Sequence, residues 1–172
     1  MYALDRRSKS ASSISVLGSG TVGTIVGKGL QRLGNEMIFY DVDHGRIGHL
    51  LSLGFKATTD IETAIKYSDI SFICVPTPTV RGRIDLSYVK SVTRKLATSL
   101  RKKDRYHLVV VKSTVLPTTA ENIIIPLLET YSKRKVGEHI GVCSNPEFLT
   151  EVSRSWSNEN EFSIMIIKGC KK

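Results

Sequence analysis

Two carboxylates stand four residues apart near the end of the sequence, in the stretch NPEFLTE of residues 145–151. This stretch follows an apolar run, residues 139–143, that is typical of a buried strand. A proline directly after Asn145 suits the first turn of a helix, so Glu147 and Glu151 are predicted to share one helical face. A glutamate partly desolvated by bound ligands is suited there to general base catalysis. The alternative is a charged first turn that complements the helix dipole.

A glycine-rich turn of the form GxGxxG, GSGTVG, occupies residues 18–23 directly after a predicted strand. At such a turn Gly18 permits the sharp bend, Gly20 lets a pyrophosphate approach the backbone, and Gly23 allows the helix to pack closely on the strand. The phosphates would then meet backbone amides and the positive end of the helix dipole. The pattern therefore predicts a dinucleotide-binding turn.

An acidic residue, Asp41, ends the next predicted strand 18 residues after Gly23. An acid at this position is the usual partner of a ribose hydroxyl. Because its charge would repel the 2′-phosphate of NADP, Asp41 favours NAD as the cofactor. Arg46 is a candidate for contact with the cofactor's phosphate or adenine edge. Without a cofactor, Asp41 would be a strand-end turn residue and Arg46 a solvated helix residue.

Hydroxyl side chains follow two further predicted strands. Thr77 and Thr79 lie in the PTPT stretch after one apolar run, and Ser113 and Thr114 follow the next one. In an open parallel sheet, ligands bind at the carboxyl ends of the strands. These hydroxyls are therefore candidates for ligand contacts, although prolines also stop strands and hydroxyls also cap loops.

The elements that must position these residues alternate between strand and helix along the chain. Runs that are apolar on both faces predict strands of a parallel sheet covered on both sides, and apolar residues at helical spacing predict the helices. The fold class is therefore α/β, a doubly wound, mostly parallel Rossmann-like sheet with helices on both faces. The predicted strands are residues 13–17, 37–40, 70–75, 107–111, 139–143 and 162–167. The predicted helices are residues 21–33, 46–53, 60–67, 86–100 and 118–131, the last kinked or split at Pro126.

Composition and charge exclude several other classes of protein. The 172 residues are 41% hydrophobic and 24% charged, which is typical of a globular domain. The net charge of +9 comes from separate basic clumps without an aromatic-rich stripe, so nucleic acid is not an expected partner. No apolar run reaches the roughly 18 residues of a membrane span, and no secretory signal is expected.

Three cysteines, Cys74, Cys143 and Cys170, form no metal-binding pattern. Cys74 and Cys143 lie in apolar runs, where a buried thiol behaves as a small hydrophobe. We therefore expect no metal, reduced thiols and a cytoplasmic location. Residues 1–12 are expected to form a flexible N-terminal arm, and residues 13–172 a single NAD-binding Rossmann domain.

Several motifs, in this order and spacing, resemble the amino-terminal half of the UDP-glucose and GDP-mannose dehydrogenase family. They are GSGTVG, FYDVDHGRI, ICVPTPT, VVVKSTVLPTTAE and, above all, SNPEFLTE. The resemblance implies an NAD-dependent oxidoreductase that converts the C6 hydroxyl of a UDP-sugar, of the UDP-glucose or UDP-N-acetyl-hexosamine type, to a carboxylate with two NAD. Which sugar is oxidised stays open.

The resemblance also implies roles for individual residues. Thr114 and Glu147 would order a catalytic water and assist acid–base steps. Glu147, with Phe148 and Leu149, would bind the sugar nucleotide. The implied NAD-binding residues are Gly18, Ser19, Gly20, Thr21, Val22, Gly23, Asp41, Arg46, Val75, Thr77, Thr79, Ser113 and Glu151.

The family's covalent chemistry belongs to a cysteine in the motif GGxCFPKD, which this sequence does not contain. We therefore expect this chain alone to be the cofactor half of the enzyme, binding NAD without turnover. The resemblance also implies a homodimer for the full-length protein. The alternative is a stand-alone dinucleotide-binding module that acts as a regulator or partner subunit.

Overall fold

The computed structural model describes residues 11–146 of the chain. Its strands are β1 (Ser13–Leu17), β2 (Glu36–Tyr40), β3 (Ala57–Thr58), β4 (Ile70–Ile73), β5 (Thr79–Val80), β6 (Arg83–Ile84), β7 (His107–Val111) and β8 (Ile140–Ser144). Its helices are α1 (Thr21–Arg32), α2 (His44–Ser52), α3 (Ile61–Tyr67), α4 (Ser87–Leu100) and α5 (Ile125–Ser132), with a π-helical turn (Ala120–Ile124) directly before α5.

Most of these strands form one parallel sheet in the order β3-β2-β1-β4-β7-β8. From β1 the chain first adds strands on one side, and it then returns to add β4, β7 and β8 on the other. This is the strand order of the doubly wound dinucleotide-binding fold, and the predicted fold class is confirmed. Because the order reverses between β1 and β4, a crevice opens there at the carboxyl ends of the strands.

Helices cover both faces of the sheet. On one face, α3, α4 and α5 pack against a core that includes Leu17, Ile73 and Val109. On the other face, α1 and α2 pack against a second core that includes Val16 and Phe39. Neighbouring residues of one strand therefore face different cores, which is why the strands are apolar on both sides.

Short polar signals set the starts of two helices. Asp43 accepts hydrogen bonds from the backbone N–H groups of Gly45 and Arg46 at 2.8 and 3.2 Å, and so caps α2. Asp60 caps α3 in the same way, because its carboxylate accepts hydrogen bonds from the backbone N–H groups at the second and third positions after it. The Asp43 cap places the start of α2 at His44, ahead of the predicted start at residue 46.

Helix α1 lies close to the sheet because glycines occupy the contact. A Cβ atom built on Gly27 would come within 2.3 Å of the Phe39 ring, and one built on Gly23 within 1.9 Å of the Gly18 carbonyl oxygen. Neither position has room for a methyl group. The missing side chains therefore let the helix settle directly onto β1 and β2.

The structure contains short strands that the sequence did not reveal. β3 consists of Ala57 and Thr58 alone, and β5 and β6 form an antiparallel hairpin. At the hairpin turn Arg81 has a φ of 51° and Gly82 a φ of 73°, as a two-residue type I′ turn requires. The Arg-Gly pair lacks the Asn-Gly or Asp-Gly signature by which such a turn is recognised in a sequence.

Two predicted elements end differently in the structure. The strand predicted for residues 70–75 ends at Ile73, ahead of Pro76, which has no N–H group to give to a ladder. The helix predicted for residues 118–131 is split at Pro126, which lies in the first turn of α5 behind the π-helical turn. Before that turn, Thr118 has a φ of 67°, a strained value for a β-branched residue.

A series of polar side chains crosses the sheet near the amino ends of β1, β4 and β7. Ser15 Oγ lies 2.7 Å from Ser71 Oγ and 2.9 Å from Ser68 Oγ, which donates to it. Ser71 Oγ lies 2.8 Å from His107 Nε2, and His107 Nδ1 lies 3.1 Å from Lys103 Nζ. The three serines and the histidine are fully buried, so these groups satisfy one another in place of water.

Lys103 ends this series and caps α3. Its ammonium donates to the carbonyl oxygens of Ile65, at 3.1 Å, and of Ser68, and lies 3.4 Å from the Asp69 carboxylate. Burial lowers the pKa of Lys103, and Asp69 opposes this effect. Burial, and then the charge of Lys103, lower the pKa of His107 to about 3, so its imidazole is neutral at pH 7 in the folded protein.

Within residues 11–146, no helix has the length and apolar character that crossing a membrane requires. In the same range, no group of three or more His, Cys, Asp or Glu side chains is arranged to hold a metal ion. The predicted strand of residues 162–167 and the helix predicted after Asn145 lie outside the described residues.

Candidate functional site

The glycine-rich turn joins β1 to α1 at the point where the strand order reverses. Gly18 has a φ of +101°, and a Cβ atom there would meet the Cys74 carbonyl oxygen at 2.7 Å. Both observations exclude any residue other than glycine without a shift of the backbone. Gly20 is different, because the nearest atom to a Cβ there is Arg46 Nη1 at 3.9 Å. The backbone at Gly20 is therefore open towards the cleft.

Asp41, at the end of β2, is held in one orientation beside this turn. Asp41 is 6% exposed, and its carboxylate accepts hydrogen bonds from the backbone N–H groups of Ser19 at 2.7 Å and of Asp43 at 3.0 Å. The Ser19 hydroxyl in turn donates to the Tyr40 carbonyl oxygen at 3.1 Å. These contacts fix the carboxylate and leave it on the wall of the cleft.

The opposite wall is formed where β4 and β7 end. Ser113 is buried, and its hydroxyl donates to the Val75 carbonyl oxygen at 2.7 Å. Thr77 follows Val75 on one side of this contact, and Thr114 follows Ser113 on the other. The hydroxyl-bearing segments predicted from the sequence thus lie side by side at the same rim.

These residues line one cleft of about 640 Å³ at the carboxyl ends of the strands. Its volume lies in the range of roughly 300–1,000 Å³ that is usual for small-molecule sites. The predicted site residues that line it are Gly18, Gly20, Thr21, Val22, Asp41, Arg46, Val75, Thr77, Ser113 and Thr114. The structure therefore brings together residues that are up to about 100 positions apart in the sequence.

Other predicted site residues do not line the cleft. Ser19 and Gly23 lie beneath it, where the Ser19 backbone holds Asp41 and Gly23 packs against Gly18. Thr79 is an exposed residue of β5 and is not part of the cleft wall. The predicted residues beyond the described range are Glu147, Phe148, Leu149 and Glu151. Binding and catalytic roles for all these residues stay predictions.

One wall of the cleft was not predicted from the sequence. Helix α4 contributes Tyr88, Ser91, Val92 and Lys95 to it. These positions have the i, i+3, i+4, i+7 spacing of a single helix face. Sequence reasoning followed the purely apolar face of this helix into the core, and the neighbouring mixed face was the signal that it passed over.

The described lining of the cleft carries more positive than negative charge. It includes Arg46, Lys95 and Lys112, whereas Asp41 is the acid. Arg46 is about half exposed, and its guanidinium lies 3.4 Å from the Asp41 carboxylate and 3.6 Å from that of Asp43. An excess of cations in a concave site favours an anionic ligand.

The residues present fit a dinucleotide. Among the described residues, no side chain caps the start of α1, so its first amides are available to a phosphate. The fixed Asp41 carboxylate can accept hydrogen bonds from ribose hydroxyls and would repel a phosphate in their place. Pyrophosphate and adenosine ribose are thus both accommodated on the β1–β2 side of the cleft.

Comparison with known families decides which class of dinucleotide protein this is. The model of the UDP-glucose/GDP-mannose dehydrogenase family, NAD binding domain, matches residues 49–166. The chain belongs to the UDP-glucose/GDP-mannose dehydrogenase family. The resemblance drawn from the motifs is confirmed, and so is NAD as the cofactor of the matching domain.

Curated relatives carry both nucleotide types in their names. GDP-mannose 6-dehydrogenase of Pseudomonas aeruginosa is 39% identical over 159 residues, with 80% of this chain and 36% of the relative covered. UDP-glucose 6-dehydrogenase AglM of Haloferax volcanii is 34% identical over 158 residues, with the same coverage of 80% and 36%. The chain therefore spans little more than a third of the length of the curated relatives that it matches.

Solved structures of the family have the same fold. UDP-glucose dehydrogenase from Pyrobaculum islandicum superposes with a TM-score of 0.76 at 33% identity, over 86% of this chain and 38% of that one. GDP-mannose dehydrogenase from Pseudomonas aeruginosa, in a ternary complex, gives a TM-score of 0.75 at 39% identity, over 80% and 36%. In both cases the similarity covers most of this chain.

Proposed function

We propose that this chain is the NAD-binding part of a nucleotide-sugar 6-dehydrogenase, which oxidises the C6 hydroxyl of a sugar nucleotide to a carboxylate. The observation that carries the proposal is the single cleft in which the glycine-rich turn, Asp41 and the rim of β4 and β7 meet. The family match over residues 49–166 supports the same function.

The chain's own groups would bind and orient NAD, which when bound supplies the hydride acceptor. The amides at the start of α1 would hold the pyrophosphate, for which Gly20 leaves the backbone open. Asp41 would accept hydrogen bonds from the adenosine ribose, and Arg46 would neutralise charge beside it. The nicotinamide half of NAD would then extend across the point between β1 and β4 where the strand order reverses, towards Thr77 and Thr114.

The proposed catalytic residues are Thr114 and Glu147, which would order a water and assist the acid–base steps. Thr114 lines the cleft, which supports this role. For Glu147, Phe148, Leu149 and Glu151 the support is their place in the NPEFLTE motif. We further propose that residues 1–172 alone bind NAD without oxidising the sugar, because the sequence lacks the GGxCFPKD motif of the covalent step.

The proposed substrate is a UDP-sugar, as the resemblance implies. A GDP-sugar is the second candidate, because the GDP-mannose 6-dehydrogenases of Pseudomonas aeruginosa and Pseudomonas putida are 39% and 40% identical to this chain. Both candidates are nucleoside diphosphate sugars, so the chemistry required at C6 is the same.

Calorimetric titration of the purified chain with NAD, NADP, UDP-glucose and GDP-mannose tests the proposal. We expect saturable binding of NAD, and at least tenfold weaker binding of NADP because Asp41 repels the 2′-phosphate (~1.4 kcal/mol or more). When the chain is mixed with NAD and either sugar nucleotide, we expect no rise in NADH absorbance. Absence of NAD binding at millimolar concentration, or a preference for NADP, would refute the proposed cofactor site. NADH formation with either sugar nucleotide would refute the proposed lack of turnover.

A further inference from the structure

Two segments form the rim of the cleft above β4 and β7, residues 75–77 and residues 112–114. Each continues a strand beyond the end of the sheet, so the regular ladder no longer fixes the distance between them. The last backbone contacts are those of Lys112 and Ser113, whose N–H groups both donate to the Ile73 carbonyl oxygen, at 2.9 and 3.0 Å. The separation of the two segments beyond Ile73 needs another cause.

The Ser113 side chain supplies a contact beyond that point. Its hydroxyl lies 2.7 Å from the Val75 carbonyl oxygen and 3.3 Å from that of Ile73. A hydroxyl has one proton to donate, and the shorter distance assigns it to Val75. The residue is 6% exposed, so water does not compete freely for this bond.

The sequence of the rim explains why a side chain is needed there. Pro76 and Pro78 have no backbone N–H groups, so the segment after Val75 has few donors with which to extend the ladder towards β7. Its carbonyl oxygens remain as acceptors. The Ser113 hydroxyl, on the neighbouring segment, lies within hydrogen-bond distance of the Val75 carbonyl oxygen and adds one bond between the two segments.

We infer that Ser113 is a positioning residue, whose hydroxyl ties the two rim segments together and thereby sets the spacing of Thr77 and Thr114 along the rim of the cleft. The inference rests on the proposed function and differs from the sequence-based prediction for Ser113, in which the hydroxyl contacts the cofactor itself. In the structure its proton is already used within the protein. The hydroxyl has no proton left to donate to a ligand and keeps only acceptor lone pairs, so we assign its effect to the spacing of its neighbours.

Ser113→Ala separates the two roles. We expect NAD affinity to fall about 5- to 10-fold, the effect of one hydrogen bond, while affinity for ADP, which occupies the glycine-rich turn and Asp41, changes less than about twofold. Amide hydrogen exchange at positions 112 and 113, measured without ligand, should quicken because their shared acceptor segment loosens. Ser113→Thr keeps the hydroxyl and should restore slow exchange and NAD affinity.

Ser52→Ala is the matched control, since the exposed Ser52 hydroxyl bonds only within its own helix, to the His49 carbonyl oxygen at 2.8 Å. Weaker NAD binding in Ser113→Ala with unchanged amide exchange would overturn the inference, because the hydroxyl would then contact the cofactor directly. Equal losses of affinity for NAD and for ADP would also overturn it. So would an unchanged NAD affinity or an unchanged rate of amide exchange in Ser113→Ala. If the wild-type chain does not bind NAD, the proposed function fails, whereas faster exchange in the variant still identifies the tie.

Discussion

The polar groups at the two ends of the parallel sheet differ in their hydrogen-bond partners and in their exposure. At the amino ends of β1, β4 and β7, Ser15, Ser71 and His107 are fully buried and bond to one another. At the carboxyl ends, Asp41 and the amides at the start of α1 face an open cleft. One end has satisfied its polar groups internally, and the other presents them to a ligand.

This difference separates stability from binding within one small domain. Removal of a partner at the amino end leaves a buried polar group without a hydrogen bond, which costs about 1–3 kcal/mol of folding free energy. Changes at the carboxyl end alter groups on the wall of an open cleft, where Asp41 is held in place by the Ser19 and Asp43 N–H groups. We therefore expect variants of the first kind to lower stability at constant NAD affinity. Variants of the second kind should alter NAD binding, and should lower stability as well where they crowd the buried backbone of the turn.

The largest expected effect concerns His107 and pH. Because the pKa of His107 is about 3 in the folded protein and 6.5 when unfolded, the unfolded chain binds this proton first as the pH falls. Its contribution is present above pH 6.5 and is lost as the pH falls towards 3. Between pH 7 and pH 4 the loss should amount to roughly 3–4 kcal/mol, at 1.36 kcal/mol per pKa unit.

Urea unfolding of wild type and His107→Gln across this pH range measures that loss. The variant cannot take up the proton, so its stability should fall less steeply between pH 6.5 and pH 4. His139→Gln, at an exposed histidine, serves as the control. Parallel curves for wild type and His107→Gln would show that the buried series does not govern acid stability.

The next largest effect is expected for Gly23→Ala, at the cleft end. Its Cβ atom would lie 1.9 Å from the Gly18 carbonyl oxygen, so helix α1 must move away from the turn. Overpacking of this kind costs roughly 2–3 kcal/mol, and displacement of the helix start should also abolish measurable NAD binding. Thermal unfolding and NAD titration check both effects.

Gly48→Ala is a suitable comparison for that variant, since a Cβ there meets nothing within 4 Å. It lies within α2 and should leave NAD affinity in place. A Gly23→Ala protein that binds NAD normally would contradict the close packing of turn and helix on which the site depends.

A smaller effect is expected for Asp41→Asn. The amide keeps the shape of the side chain but loses the charge, and its NH2 group replaces one of the two oxygens that accept from the Ser19 and Asp43 N–H groups. NAD affinity should therefore fall about tenfold, equivalent to ~1.4 kcal/mol, while NADP binding improves. Calorimetry with both cofactors measures the change. Asp60→Asn replaces a helix cap by an equally good one and should alter neither affinity. Unchanged discrimination in Asp41→Asn would exclude Asp41 as the residue that selects NAD.

The smallest effect is a gain in stability from Thr118→Gly. Thr118 has a φ of 67°, a conformation that costs a β-branched residue on the order of 1 kcal/mol and glycine almost nothing. Part of that gain is offset because glycine is more flexible in the unfolded chain. Chemical denaturation measures the difference, and a net loss of stability would show that the threonine side chain makes a compensating contact.

Periodicity in the sequence was sufficient for the frame of the fold. The boundaries of β1 and β7 agree with the predicted strands of residues 13–17 and 107–111, because each is a short, mostly apolar run that is buried on both faces. The hairpin of β5 and β6 was missed because its two-residue strands are too short for any period, and Arg81 occupies a turn position that usually signals itself by Asn or Asp.

The candidate site divides along the same line. Gly18 and Gly20 could be found because one local turn dictates their types, and Asp41 because it ends the strand that follows. The α4 face with Tyr88 and Lys95 could not, because its membership of the cleft depends on how α4 packs across the sheet. Long-range contacts, such as that of Ser15 with Ser71, leave no mark in the spacing of either residue.

The π-helical turn before α5 accommodates an extra residue between the Thr114 loop and the helix. A π-helical turn holds one residue more than the α-helical path between the same ends, so it equals a local insertion confined to a single turn. Ile124, the last residue of the turn, and Leu128 of α5 are both fully buried in the core against the sheet. Because the extra residue is confined to Ala120–Ile124, the loop after Thr114 joins α5 with Ile124 and Leu128 still in their places in the core.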